Sequence, residues 1–341
     1  MAVAPQPSTF ELLDLRLVRA RELTALLEEE QRSWREDLHW DYRPSAEMIR
    51  RHVEARTLPG VVALQAGRVA GYCFFVYEDS KGLIGDLYVL AAYRRERPHG
   101  TAAGIATLLL EHALETLEQA PRVGRIEAQV IPFGTEPLAP IFLAHDFRSF
   151  PRLFLYKELP GGERLRPAPQ SGANPLPAPL RAWDDSHFEA MAGLIVDAYR
   201  GHVDGHINDQ YSHSSGALRF LKNIVIFPGC GVFQAGASLV AVEGAGGERL
   251  AGAVLTSRVA PDTAHVTQLC VRRERQGEGL GRQLMEASLA RLAALGFRGV
   301  SLTVTAENEP AVKLYAHLGF RVIKGFSAFA RTQSPPTPPG A

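Results

Sequence analysis

From Val271 to Leu284 the chain reads VRRERQGEGLGRQL, a basic, glycine-rich turn that runs into an amphipathic helical pattern. Glycines at 277, 279 and 281 let backbone N–H groups approach an anion closely, and a helix starting there turns its unpaired amides and positive dipole end toward the same anion. The chemistry this predicts is main-chain recognition of a phosphate or pyrophosphate by Gln276, Gly277, Glu278, Gly279, Leu280, Gly281 and Arg282. A dinucleotide turn needs G-x-G-x-x-G, whereas here the glycines alternate and Arg282 takes the next helical position. No G-K-[ST] follows, which excludes a nucleotide triphosphatase loop. Further on, NEPAVKLYAHLGF (Asn308 to Phe320) carries Tyr315, whose phenol, with an ordinary pKa of about 10, stays protonated at neutral pH and can donate that proton.

The turn resembles motif A of the GCN5-related N-acetyltransferase (GNAT) superfamily, [QR]-x-x-G-x-[GA], through Gln276, Gly279 and Gly281. NEPAVKLYAHLGF resembles its motif B, with Asn308 and Tyr315 in the expected places. The resemblance implies an α/β (α+β) fold, a mixed and mostly antiparallel sheet flanked by helices. It implies acetyl-CoA as cosubstrate, no metal, and a small-molecule or peptide amine as acceptor. The donor is expected in a cleft where two central strands splay apart. There the backbone of Leu269, Cys270 and Val271 would pair with pantetheine amides, the amides from Gln276 to Arg282 would hold the pyrophosphate, and Asn308 would line the site. Tyr315 is expected to protonate the departing thiolate.

An alkylammonium is deprotonated to only about one part in 10³ at neutral pH, so a proton acceptor should assist. His265 precedes Leu269 by four residues on one strand, which places the two on the same face, and some members carry a carboxylate at that strand position. His265 is therefore the expected base; Gln268 has no basic group. The loop GHVDGHINDQYSHSS alternates His202, Asp204 and His206, but alternation in a glycine-containing loop does not gather ligands on one face. It reads as a solvated or acceptor-lining loop.

What must position these residues is a unit of strand, turn, helix, strand and motif B, and the chain contains it twice. TEPLAPIFLAHDF (Thr135 to Phe147) parallels NEPAVKLYAHLGF, AAGIATLLLEHAL (Ala102 to Leu114) parallels GEGLGRQLMEASL (Gly277 to Leu289), and DLYV (Asp86 to Val89) parallels QLCV (Gln268 to Val271). The expected division is an N-terminal GNAT-like domain over 1–159, a Pro/Gly-rich linker over 160–179, a C-terminal GNAT domain over 180–331 and a disordered tail over 332–341. Only the second copy reads as intact. In the first, Thr101 stands at the Gln276 position, Ala106 at Gly281, Thr135 at Asn308 and Phe142 at Tyr315, with seven extra residues between strand and turn. The tandem form with one degraded half resembles the mycothiol synthases, which implies a cysteinyl amino sugar as one candidate acceptor. The competing reading is a non-catalytic acyl-CoA-sensing or interaction module.

Composition excludes other classes. Among 341 residues, Lys+Arg and Asp+Glu balance at 37 each, so no global charge recruits nucleic acid or an anionic membrane. Cys73, Cys230 and Cys270 form no disulfide framework or metal spacing. The N-terminus shows no basic region followed by an apolar run, which reads as a cytoplasmic protein, monomeric or homodimeric.

Overall fold

The computed structural model describes residues 10–95, 103–160, 179–226, 230–244 and 249–332. Thr101, the bulk of the linker and all but Thr332 of the tail, read from the sequence as above, lie outside the described residues. In chain order the first half forms β1 (Phe10–Asp14), α1 (Thr24–Leu38), α2 (Arg43–Glu54), β2 (Gly60–Gln65), β3 (Arg68–Glu78), β4 (Lys81–Val89), α3 (Ile105–Glu118), β5 (Arg125–Ala128), α4 (Ala139–Ala144) and β6 (Arg148–Glu158). The second forms β7 (Leu180–Ala182), α5 (Phe188–Ala198), α6 (Asp204–Ile207), α7 (Ser214–Val225), β8 (Val232–Phe233), β9 (Leu239–Glu243), β10 (Arg249–Ala260), β11 (Thr263–Val271), α8 (Leu280–Ala294), β12 (Gly299–Thr305), α9 (Glu309–His317) and β13 (Arg321–Thr332). The expected loop after α5 thus contains a short helix, α6, and the segment from Gly231 to Glu243 holds two strands, β8 and β9.

Two compact units result, and they follow contacts rather than the linker. One holds the chain up to Asp37, then Tyr42–Pro151 and the stretch from Phe326; the other holds Leu38–Asp41 and Arg152–Gly325. In the first unit, β1 to β4 form an antiparallel meander, β5 joins β4 in parallel, and the end of β13 pairs antiparallel with β5 from Phe329↔Ala128 to Thr332↔Arg125. In the second, β7, β9, β10 and β11 are antiparallel, β12 joins β11 in parallel, and residues 152–158 of β6 pair with β12 from Thr305↔Arg152 to Gly299↔Glu158. Each sheet is therefore completed by the last strand of the other half. Nothing local in either strand's sequence distinguishes that partner, because an amphipathic edge strand pairs with any edge of matching register.

Helix α8 packs on β10 and β11 through Leu280, Leu284, Met285, Leu289 and Leu292, recurring at three- and four-residue intervals. Burying each such leucine stabilises the fold by about 1.5–3 kcal/mol, so this stripe fixes the helix, and with it the turn at its N-terminus. In the first unit α3 does the same with Ile105, Leu109, Leu110, Leu114 and Leu117.

Candidate active site

Strand β11 opens the site. Its parallel pairing with β12 runs from Thr263↔Gly299 to Val266↔Leu302 and stops. Beyond it, β12 continues against β6 while β11 stays on β10, so the β12-facing edge of Gln268–Val271 lies outside the parallel ladder. Thr267 is the cause. Against β10 the register passes from Leu255↔Gln268 to Thr256↔Val266, leaving Thr267 as a bulge that bends the strand where the ladder ends.

The bulge also corrects the expected face of His265. One extra residue reverses the alternation, so Ala264 and Val266 share a core with Leu269 and Val271, while His265 falls on the opposite face, that of Cys270. There His265 Nδ1 lies 2.8 Å from Ser301 Oγ, with the rings of Trp40 and Phe154 at 5.1 and 5.8 Å. Burial and the Arg152 charge lower its pKa to about 3. Such an imidazole stays neutral and accepts a proton poorly.

Below the open edge lies a cleft of about 630 Å³. It is lined by Leu269, Cys270 and Val271, by Gln276, Gly277, Gly279, Leu280, Gly281 and Arg282, and by Asn308, which brings together every expected coenzyme residue except Glu278. Glu278 instead accepts a 2.7 Å hydrogen bond from Arg275 Nε. Gly277 and Gly279 adopt φ of +82° and +83°, the left-handed region that glycine enters without a Cβ penalty. Gly279 caps α8, and a Cβ there would meet no atom within 4 Å, so the space above the helix N-terminus is open. Gln276 ties the turn to the strand through Nε2 donating to the Val271 carbonyl at 3.0 Å. Asn308 is an N-cap: its Oδ1 accepts from the Ala311 amide at 3.3 Å and orients α9, which carries Tyr315.

Tyr315 is buried, its ring 5.9 Å from Phe320, and burial together with the nearby Asp204 carboxylate raises its pKa, so its proton is held firmly. Asp204 belongs to a cluster that local sequence reasoning did not assemble. It accepts a hydrogen bond from Thr305 Oγ1, lies 3.8 Å from Arg152 Nη1, and its own amide donates to His202 Nδ1 at 3.2 Å. Arg152 Nε is buried and has no hydrogen-bond partner among the described residues. Tyr199, on the cleft wall, accepts from Gln268 Nε2 at 2.8 Å and stacks on Tyr211 at 4.4 Å. Only Tyr199 and Asp204 had a positional signal, standing at a helix end and in a loop beside the site. Arg152 and Trp40 come from the first half of the chain and are brought to this unit by strand pairing and by the Asp41 amide, which donates to the Val259 carbonyl at 2.8 Å.

Cysteine chemistry is not supplied here: burial pushes the Cys270 thiol up to about 12, far from a thiolate at neutral pH. Among the described residues no group of three or more His, Cys, Asp or Glu could hold a metal ion, and no helix is long and apolar enough to cross a membrane.

The first unit keeps the architecture and loses the groups. Its parallel ladder ends at Ile84↔Ala128, just before a bulge at Gly85. Arg94 makes the tie that Gln276 makes in the second unit: it follows β4 by the same spacing and its Nε donates to the Val89 carbonyl at 3.0 Å. Phe142 is fully buried and stacks on Phe329 at 4.0 Å, with no proton to give. On the other face, Glu30 and Asp86 are buried as a coupled pair. Tyr72 donates to Glu30 at 2.9 Å and Tyr42 donates to Asp86, and burial beside Asp86 holds the Glu30 carboxyl well above the usual range.

The sequence model described as the acetyltransferase (GNAT) family matches residues 21–137 and 200–320, well over half of the chain. A mycothiol acetyltransferase of Actinosynnema mirum is 29% identical over 277 residues, covering 79% of this chain and 84% of that protein. Among solved structures, a GCN5-related N-acetyltransferase from Sphaerobacter thermophilus superposes with a TM-score of 0.64 at 18% identity, over 95% of each chain. A tandem GNAT protein from the clavulanic acid biosynthesis pathway gives 0.54 at 18% identity, over 96% of this chain and all of the other. With one family match spanning strand, glycine turn and motif B, and another spanning the first copy's strand and turn remnant, this chain belongs to the GNAT acetyltransferase family and carries that family's unit twice.

Proposed function

We propose that the chain is an acetyl-CoA-dependent N-acetyltransferase acting on a primary amine by direct attack in a ternary complex, with its chemistry in the unit that holds Tyr315. The observation that supports this best is the cleft in which the open edge of Leu269–Val271, the helix N-terminus at Gly279 and the face of α9 meet. Acetyl-CoA supplies the activated acyl group. The strand edge and the turn amides orient the donor, which converts the encounter into a near-intramolecular reaction. As the amine nitrogen bonds to the carbonyl carbon and the C–S bond breaks, the Tyr315 hydroxyl gives its proton to sulfur, and the proton that the nitrogen loses on becoming an amide restores the Tyr315 hydroxyl, directly or through water. Asp204, rather than His265, is assigned the proton of the incoming ammonium, directly or through water. A carboxylate attracts the cation, whereas His265 is a weak base beside the Arg152 charge.

The identity with a mycothiol acetyltransferase over most of both chains favours one particular acceptor, a cysteinyl amino sugar. The test is release of free thiol from acetyl-CoA in the presence of that compound, polyamines, aminoglycosides and peptides, with mass spectrometry locating the acetyl group on nitrogen. Tyr315→Phe should lower turnover by about 10²–10⁴ with acetyl-CoA affinity unchanged. No transfer to any amine, with coenzyme still bound, would favour the sensing module instead.

A further inference from the structure

We infer that the first unit is a self-capped anion site, in which the Glu136 carboxylate occupies the place at the N-terminus of α3 that the second unit leaves open for a diphosphate. The two helix starts correspond residue by residue: Gly104 caps α3 as Gly279 caps α8, and Thr107 corresponds to Arg282, which lines the cleft of the second unit. In the first unit the Thr107 amide donates to Glu136 Oε1 at 3.2 Å and the Thr107 hydroxyl donates to the same oxygen at 3.0 Å. A Cβ built on Gly104 would lie 2.1 Å from Oε1 and 2.6 Å from Oε2, whereas one on Gly279 meets nothing within 4 Å. One helix start is filled by a side chain of the chain itself; the other, among the described residues, is not.

The same carboxylate has a different destination in each copy. Glu136 of T-E-P corresponds to Glu309 of N-E-P, and Glu309 is exposed, accepting a 3.0 Å bond from Lys313 one turn along α9. Asn308 begins α9 at Glu309 by capping it, and so fixes Glu309 on the outer face of the first turn. Thr135 stands in place of Asn308, its hydroxyl is buried without a hydrogen-bond partner among the described residues, and α4 starts only at Ala139. Residues 135–138 are thereby released from the helix, and Glu136 turns onto α3. An anionic oxygen is stabilised there by the helix amides and dipole, as a phosphate would be. A diphosphate would have to displace it and would meet its charge.

The comparison with the second unit rests on the functional reading above; the contact at Glu136 does not. The test uses the full chain in three forms: wild type, Gly279→Val to block the second unit's turn, and Gly279→Val with Glu136→Ala. The wild type should bind one coenzyme A per chain by calorimetry. The double variant should gain a rise in Tm with inorganic pyrophosphate that Gly279→Val alone lacks. Glu136→Gln in the same background keeps the side-chain size and an oxygen for the Thr107 amide but removes the charge, and should show the same gain if the alanine variant does not fold. Two coenzymes per wild-type chain, or pyrophosphate responses equal with and without Glu136, would overturn the inference. A wild type that binds no coenzyme would count against the functional reading, and the pyrophosphate comparison would still decide the role of Glu136.

Discussion

Gly279→Val separates backbone strain from loss of a ligand. At φ of +83° a residue with a Cβ costs roughly 1–2 kcal/mol, and since the added atom meets nothing within 4 Å, packing adds little. Thermal stability should fall by only a few degrees, at about 2–4 °C per kcal/mol for a unit of this size. Coenzyme binding should suffer far more, because the new side chain projects into the open space before the α8 amides. Losing two hydrogen bonds to a charged group removes about 3 kcal/mol or more, at least a hundredfold in Kd at about 1.4 kcal/mol per decade. Gly296→Val is the control: it adopts φ of +88°, its Cβ is also unobstructed, and it lies away from the cleft. The assay is calorimetric titration of both variants with coenzyme A beside their melting curves. Equal affinity in the two variants would refute placement of the diphosphate at Gly279.

Asp204→Asn should lower kcat/KM for the amine by about 10² or more, with coenzyme affinity unchanged, while His265→Gln changes it less; the reverse order in steady-state kinetics would return the proton to His265. Glu30 carries a pH prediction. Its folded pKa is raised above the ordinary 4.5, so the folded state keeps a proton that the unfolded chain has lost, and stability falls as pH rises from about 4.5 through the raised value. Melting curves across that range should slope downward for the wild type and less steeply for Glu30→Gln; parallel curves would dismiss the raised Glu30 pKa as the source of the slope. Cutting the chain in the linker should yield a fragment 175–341 that does not fold alone, because it lacks residues 152–158 paired with β12 and the 38–41 segment packed at His265 and Tyr156. A cooperative melting transition from that fragment would show those contacts to be dispensable.

The sequence alone determined the local elements of the second copy. Glycine spacing, the cap at Asn308 and the leucine stripe of α8 are local rules of backbone conformation and helix periodicity, and they place the turn, the helix and Tyr315 without reference to the rest of the chain. The open strand edge was expected only through the resemblance to the GNAT superfamily, because where a parallel ladder stops depends on pairing between distant strands. What tertiary structure decided is whatever depends on register between distant segments. The bulge at Thr267 moved His265 to the other face, since a single extra residue inverts a period of two. Strand pairing carried Arg152 into the second unit, and the helix start withheld from Thr135 sent Glu136 onto α3. Each of these outcomes turns on which competing partner a backbone or a carboxylate finds once the sheets are assembled, and residue type at one position does not encode that choice.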